Sequence, residues 1–115
     1  MNRPALGPEG VLLSLVVLGA ACATTAPSRF HPRALALEAA GVAALGRGEL
    51  ESAAGHFALA LEYEPRFAEA ENGLGLVALR YGDNARAEER FRAALALNED
   101  LAEAHLNLAG LLLDR

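Results

Sequence analysis

Residues 41–61 read GVAALGRGELESAAGHFALAL, and residues 75–95 read GLVALRYGDNARAEERFRAAL. Shifted by 34 residues, the two stretches place Gly41 on Gly75, Gly48 on Gly82, Ala53 on Ala87, Phe57 on Phe91, Ala60 on Ala94 and Leu61 on Leu95. One offset relates all six pairs, so this is an internal repeat. A repeat of this period is a helical pair that cannot bury its apolar side alone and must stack on its neighbours. Such stacks present surfaces to other proteins far more often than they assemble reacting groups.

Working outward, Leu45, Leu79 and Leu113 recur at the same spacing, as do Ala40, Leu74 and Leu108. The small residues Gly41, Gly75 and Ala109 occupy the slot where the first helix of a pair presses on the second. Ala53, Ala60, Ala87 and Ala94 hold tight slots on the second helix, where a larger side chain would push the helices apart. Phe57 and Phe91 are the large knobs between repeats. Gly48 and Gly82 fall between helices, where a left-handed cap suits glycine alone. Pro65 ends a helix, because the residue before a proline resists helical geometry. The pattern predicts helices over about 34–46, 50–64, 68–81, 84–97 and 102–114.

These slots, with the Gly82-Asp83 turn, resemble the tetratricopeptide repeat family over residues 34–115. The chain departs from that family in three slots. Its early aromatic is Leu37, Glu71 and His105 here, its tyrosine is Ala44, Ala78 and Leu112, and its turn proline is Glu99 in the second unit. The resemblance implies an all-α fold, a right-handed superhelical stack of antiparallel helix pairs with about two and a half repeats. Residues 34–67 form the first unit, 68–101 the second, and 102–115 the first helix of a third.

The resemblance also implies a concave groove lined by the first helix of each unit. Carried over slot by slot, its faces are Leu35, Glu38, Val42 and Leu45; then Glu69, Asn72, Leu76, Leu79 and Arg80; then Glu103, Leu106, Gly110 and Leu113. The floor is apolar and the rim acidic except for Arg80, which suits an amphipathic helix or extended peptide of basic character. Some family members clamp a terminal carboxylate with Lys and Asn in these slots. Here only Asn72 would serve, and the carboxylates around it would repel such a ligand. The alternative for each leucine is packing against a neighbouring helix.

The composition agrees with closely packed helices: 53% of residues are hydrophobic but only 5% aromatic, so the core is built from Ala, Leu and Val. Net charge is -5 and no basic run occurs, which argues against nucleic-acid binding. His31, His56 and His105 have no ligand-spaced partners, and His105 takes a slot in which a neutral imidazole packs the helix pair. No nucleophile–base set, phosphate loop or carboxylate pair of argued geometry is legible. The expectation is therefore a protein without enzymatic activity, metal or cofactor. Asp83 to Arg92 reads as a solvated charged face, with Glu88 and Arg92 one turn apart.

Ahead of the repeat, Arg3 is followed by the apolar run VLLSLVVL over residues 11–18 and then by the small residues Gly19, Ala20 and Ala21. Basic start, apolar middle and small-residue exit describe a signal peptide over residues 1–21. Cys22, the single cysteine, follows at once. Leu18-Gly19-Ala20-Ala21-Cys22 resembles a bacterial lipobox, with Gly19 standing where that family carries a branched aliphatic residue. The resemblance implies cleavage before Cys22, lipidation of its sulfur, and an outer-membrane address facing the periplasm, since Ala23 rather than aspartate follows. Two alternatives stand: cleavage after Ala23 in a secreted protein, or an uncleaved anchor. Residues 22–33, rich in Ala, Thr, Ser and Pro, read as a flexible tether.

The last helix has leucines at 106, 108, 111, 112 and 113, on most of its circumference, whereas a capping helix shows a polar outer face. The functional expectation is a membrane-tethered adaptor of the bacterial envelope that binds a protein or peptide in its groove. The alternatives are a structural piece of a larger assembly, self-associating through the C-terminal helix, or the N-terminal part of a longer protein.

Overall fold

A computed structural model describes residues 29–114, so the expected signal peptide and Cys22 lie outside the described residues. Those residues form five helices: α1 (Pro32–Gly46), α2 (Leu50–Tyr63), α3 (Ala68–Arg80), α4 (Asn84–Leu97) and α5 (Ala102–Leu113). No strand occurs among the described residues, and the fold is all-α.

The repeat is visible hydrogen bond by hydrogen bond. At the end of α1, Glu49 N–H donates to Ala44 O at 2.9 Å and Gly48 N–H to Leu45 O at 3.0 Å. At the end of α3, Asp83 N–H donates to Ala78 O at 2.9 Å and Gly82 N–H to Leu79 O at 3.0 Å. Both are Schellman caps, which satisfy the last carbonyls of a helix but need a left-handed residue after it. Gly48 (φ 76°) and Gly82 (φ 80°) supply it. The turns into the next unit also match. Phe67 N–H donates to Glu64 O and Leu101 N–H to Asn98 O. The second of these turns forms with Glu99 in place of Pro65, so the hydrogen bond and not the proline defines it.

Each helix packs on the next, and α1 also touches α3, as α3 touches α5. Phe57 and Phe91 are the largest fully buried side chains. Burying each is worth about 1.5–3 kcal/mol. Around Phe57 gather Ala34, Ala44, Ala53, Ala60, Phe67 and Val77; around Phe91 gather Ala78, Ala87 and Leu111. Glycines let the rings approach. A Cβ on Gly41 or Gly73 would stand 2.7 or 2.5 Å from the Phe57 ring, and one on Gly75 would stand 2.5 Å from the Phe91 ring.

Three expectations change. α1 begins at Pro32 rather than 34, because Pro32 pre-sets the first helical turn and His31 Nδ1 caps it, accepting from Arg33 N–H at 3.1 Å. His31 is therefore part of the folded unit and not of a tether. Its ring stacks on Tyr63 at 5.1 Å, while Phe30 stacks on the buried Phe67 at 4.8 Å. His105 is exposed and does not pack the helix pair; its Nε2 donates to Glu99 O at 2.6 Å. Ala109 is exposed, since no helix among the described residues covers its slot.

Candidate functional site

Helices α1, α3 and α5 each contribute side chains to one face. From α1 comes Glu38, half-buried, with Val42 one turn on and 53% exposed. From α3 come Glu69 and Asn72, and from α5 come Glu103 and Asn107. Burial holds the Glu38 carboxyl above the ordinary glutamate value of 4.5, and the charges of Glu69 and Glu103 raise it further. Desolvation disfavours the charged form, and two nearby carboxylates repel it. Glu38 therefore feels the charges of Glu69 and Glu103, one on each of the other first helices, although the three are distant in sequence.

Asn72, expected to line this face, is buried and offers a ligand little surface. It is 3% exposed, and its Oδ1 accepts from Asn107 Nδ2 at 3.0 Å, tying α3 to α5. Its partner was not among the expected site residues. Asn107 lies 35 residues after Asn72, one beyond the repeat offset, so slot matching does not pair them.

The other expected groove residues divide by burial. Leu35, Leu76 and Leu79 are half-buried and lie against the core clusters. Leu45 is 9% exposed and belongs to the core, so it offers little surface to a ligand. Arg80 and Gly110 are exposed. Leu106 (72% exposed) and Leu113 (84%) stand at the open end on α5, away from the core.

A concavity of about 320 Å³ opens among Ala54, Leu74, Val77, Ala78, Tyr81, Asp83, Arg86 and Arg90. Both arginines there already face carboxylates: Arg90 donates to Glu71 at 2.9 Å and Arg86 lies 3.8 Å from Asp83. The Arg90–Glu71 pair crosses from α4 to α3 within a segment read as a solvated face. Arg92 and Glu88 do meet one turn apart, at 2.9 Å.

Among the described residues no group of three His, Cys, Asp or Glu could hold a metal ion, and no helix is long and apolar enough to cross a membrane. No protein-family model matches the chain, and no curated protein matches it.

Proposed function

We propose that this chain is a tetratricopeptide-type adaptor that takes a basic, amphipathic segment of another protein against the face formed by α1, α3 and α5. The observation that carries the reading is the convergence of Glu38, Glu69 and Glu103 beside the exposed Val42. A cationic ligand relieves the repulsion between those carboxylates, and an apolar side of the same ligand covers Val42 and the half-buried Leu35, Leu76 and Leu79. The 34-residue recurrence of glycine caps and of phenylalanine against glycine supports the superhelical stack of antiparallel pairs. Binding, rather than catalysis, is the role such a face suits.

Cleavage before Cys22 and lipidation of its sulfur would tether the adaptor to the outer membrane, facing the periplasm. Substituting Cys22→Ser should abolish metabolic lipid labelling and membrane retention; unchanged retention would remove the anchor from the proposal.

The groove is tested by titrating a helical Leu/Arg peptide into the protein and following fluorescence anisotropy. Binding should weaken with added salt and in the Glu38→Gln/Glu69→Gln variant, and an acidic peptide of the same pattern should not bind. Equal affinity for both peptides would overturn the reading. A role as a structural piece of an assembly is favoured by a different observation, the exposed leucines of α5.

A further inference from the structure

The concavity of about 320 Å³ joins two kinds of surface. Its floor is apolar, made by Leu74, Val77 and Ala78 of α3 with Ala54 of α2. The exposed Tyr81 adds an aromatic ring, and Arg86 and Arg90 of α4 add two cations. The volume is at the small end of ligand pockets, which run from about 300 to 1,000 Å³. The concavity shares no residue with the carboxylate face. At about 100° per residue, Leu74, Ala78 and Tyr81 lie about 140°, 180° and 120° round α3 from Glu69.

The arginines are not demanded by the fold. Shifted back by 34 residues, Arg86 and Arg90 fall on Ser52 and His56, and Tyr81 falls on Arg47. The first unit forms the same glycine cap and the same contact of phenylalanine on glycine with those residues in place. Nor do their ion pairs use them up. A guanidinium carries five N–H donors. Arg90 gives Glu71 one hydrogen bond, from Nη1 to Oε2 at 2.9 Å. Arg86 Nε lies 3.8 Å from Asp83 Oδ2, longer than a hydrogen bond. Asp83 Oδ1 is already engaged as the cap of α4, accepting from the Arg86 backbone N–H at 3.1 Å. Both guanidiniums therefore keep donors for an acceptor brought from outside.

We propose that this concavity binds a small carboxylic acid with an aromatic body, its ring on Leu74, Val77 and Ala78 and its carboxylate between Arg86 and Arg90. The two arginines stand one turn apart on α4, close enough for both to meet one carboxylate. Hydrogen bonds between a guanidinium and a carboxylate are charge-assisted and often bidentate. The ring packs on the aliphatic floor and on Tyr81, and guanidiniums stack on aromatic faces. A single negative charge is the fit. Asp83 and Glu71 stand beside the arginines and would repel a ligand carrying several carboxylates, such as an acidic peptide. Exposed ion pairs contribute little alone, so the floor supplies most of the affinity and the arginines select the charge. The site does not depend on what the carboxylate face binds.

The test is a titration of the full chain in mild detergent with phenylacetate, followed by amide chemical shifts. Saturable shifts are expected at Val77, Ala78, Arg86 and Arg90. Phenylacetamide, which has the same shape without the charge, should bind about tenfold more weakly or worse. Arg86→Gln should weaken phenylacetate similarly, and its circular dichroism should be unchanged because Arg86 is exposed. Tyr81→Ser should weaken both compounds. No saturable shift, equal binding of acid and amide, indifference to Arg86→Gln, or shifts centred on Glu38 and Glu69 would each overturn the proposal. None of these outcomes bears on the Leu/Arg peptide, whose binding is read with Glu38→Gln/Glu69→Gln.

Discussion

Phe57 of α2 lies so close to Gly73 of α3 that a methyl group on Gly73 would stand 2.5 Å from its ring. The contact joins the two units, since Phe57 also rests on Gly41 within its own unit. Overpacking here costs about 1–3 kcal/mol and exceeds the roughly 1 kcal/mol of helix propensity that alanine gains over glycine. Gly73→Ala is therefore expected to lower the urea midpoint. Gly55→Ala, on an open face of α2 with nothing within 4 Å, should raise it. A rise in both variants would mean that the ring moves aside freely.

Gly82 closes α3 with a φ of 80°. An L side chain pays about 1–2 kcal/mol in that region, although space around it is open. Gly82→Ala should lose that much stability, and Gly48→Ala should match it if the two caps are equivalent. Thermal unfolding of the two variants provides the comparison. Loss in only one would separate the caps.

The Asn107–Asn72 hydrogen bond ties α5 to α3. Asn107→Leu leaves the buried Asn72 carbonyl without its donor, at an expected cost of about 1–3 kcal/mol. The double variant Asn72→Leu/Asn107→Leu removes both polar groups and should recover most of the loss. A double-mutant cycle in urea measures the coupling, and simple additivity would contradict it.

Glu38 makes the stability pH-dependent in a particular direction. Its folded pKa is raised, first by burial and then by Glu69 and Glu103, above the ordinary 4.5. The folded state thus holds this proton more tightly than the unfolded state. The resulting stabilisation is fully present below pH 4.5 and is lost as pH rises through the raised folded value. Glu38→Gln should flatten that part of the stability–pH curve and should be relatively more stable than the parent at neutral pH. An unchanged slope in urea unfolding between acid and neutral pH would show that the three carboxylates do not interact.

Phe30 stacks on Phe67 with an interplanar angle of 8° and a centroid distance of 4.8 Å. Removing one ring of such a pair costs about 0.5–1.5 kcal/mol beyond its buried area. Phe30→Ala should lower the melting temperature and expose the start of α1 to hydrogen exchange. Phe30→Leu should recover only the burial part.

The repeat, the helix-pair count and both glycine caps were legible in the chain because near-neighbour sterics set them. Only glycine takes a left-handed cap without strain, and only small residues let a phenylalanine ring approach a helix backbone. Those requirements leave identical residues at one offset, as at Gly48 and Gly82 or Phe57 and Phe91. The start of α1 was less legible, since His31 as a capping side chain and Phe30 as a stacking partner sit in a stretch with no apolar period.

By itself, then, the sequence determined an all-helical chain of recurring pairs, with its phenylalanines and glycines in matched places. The tertiary structure alone decided that Glu38 feels the charges of Glu69 and Glu103, that Asn107 rather than a slot-matched residue bonds Asn72, and that Leu45 is core. It also decided that Leu106 and Leu113 face outward. The reason is that helix formation depends on residues three and four apart, while which side chains meet across helices depends on how the helices cross. A crossing that shifts partners by a single residue, as between Asn72 and Asn107, leaves no mark on the period.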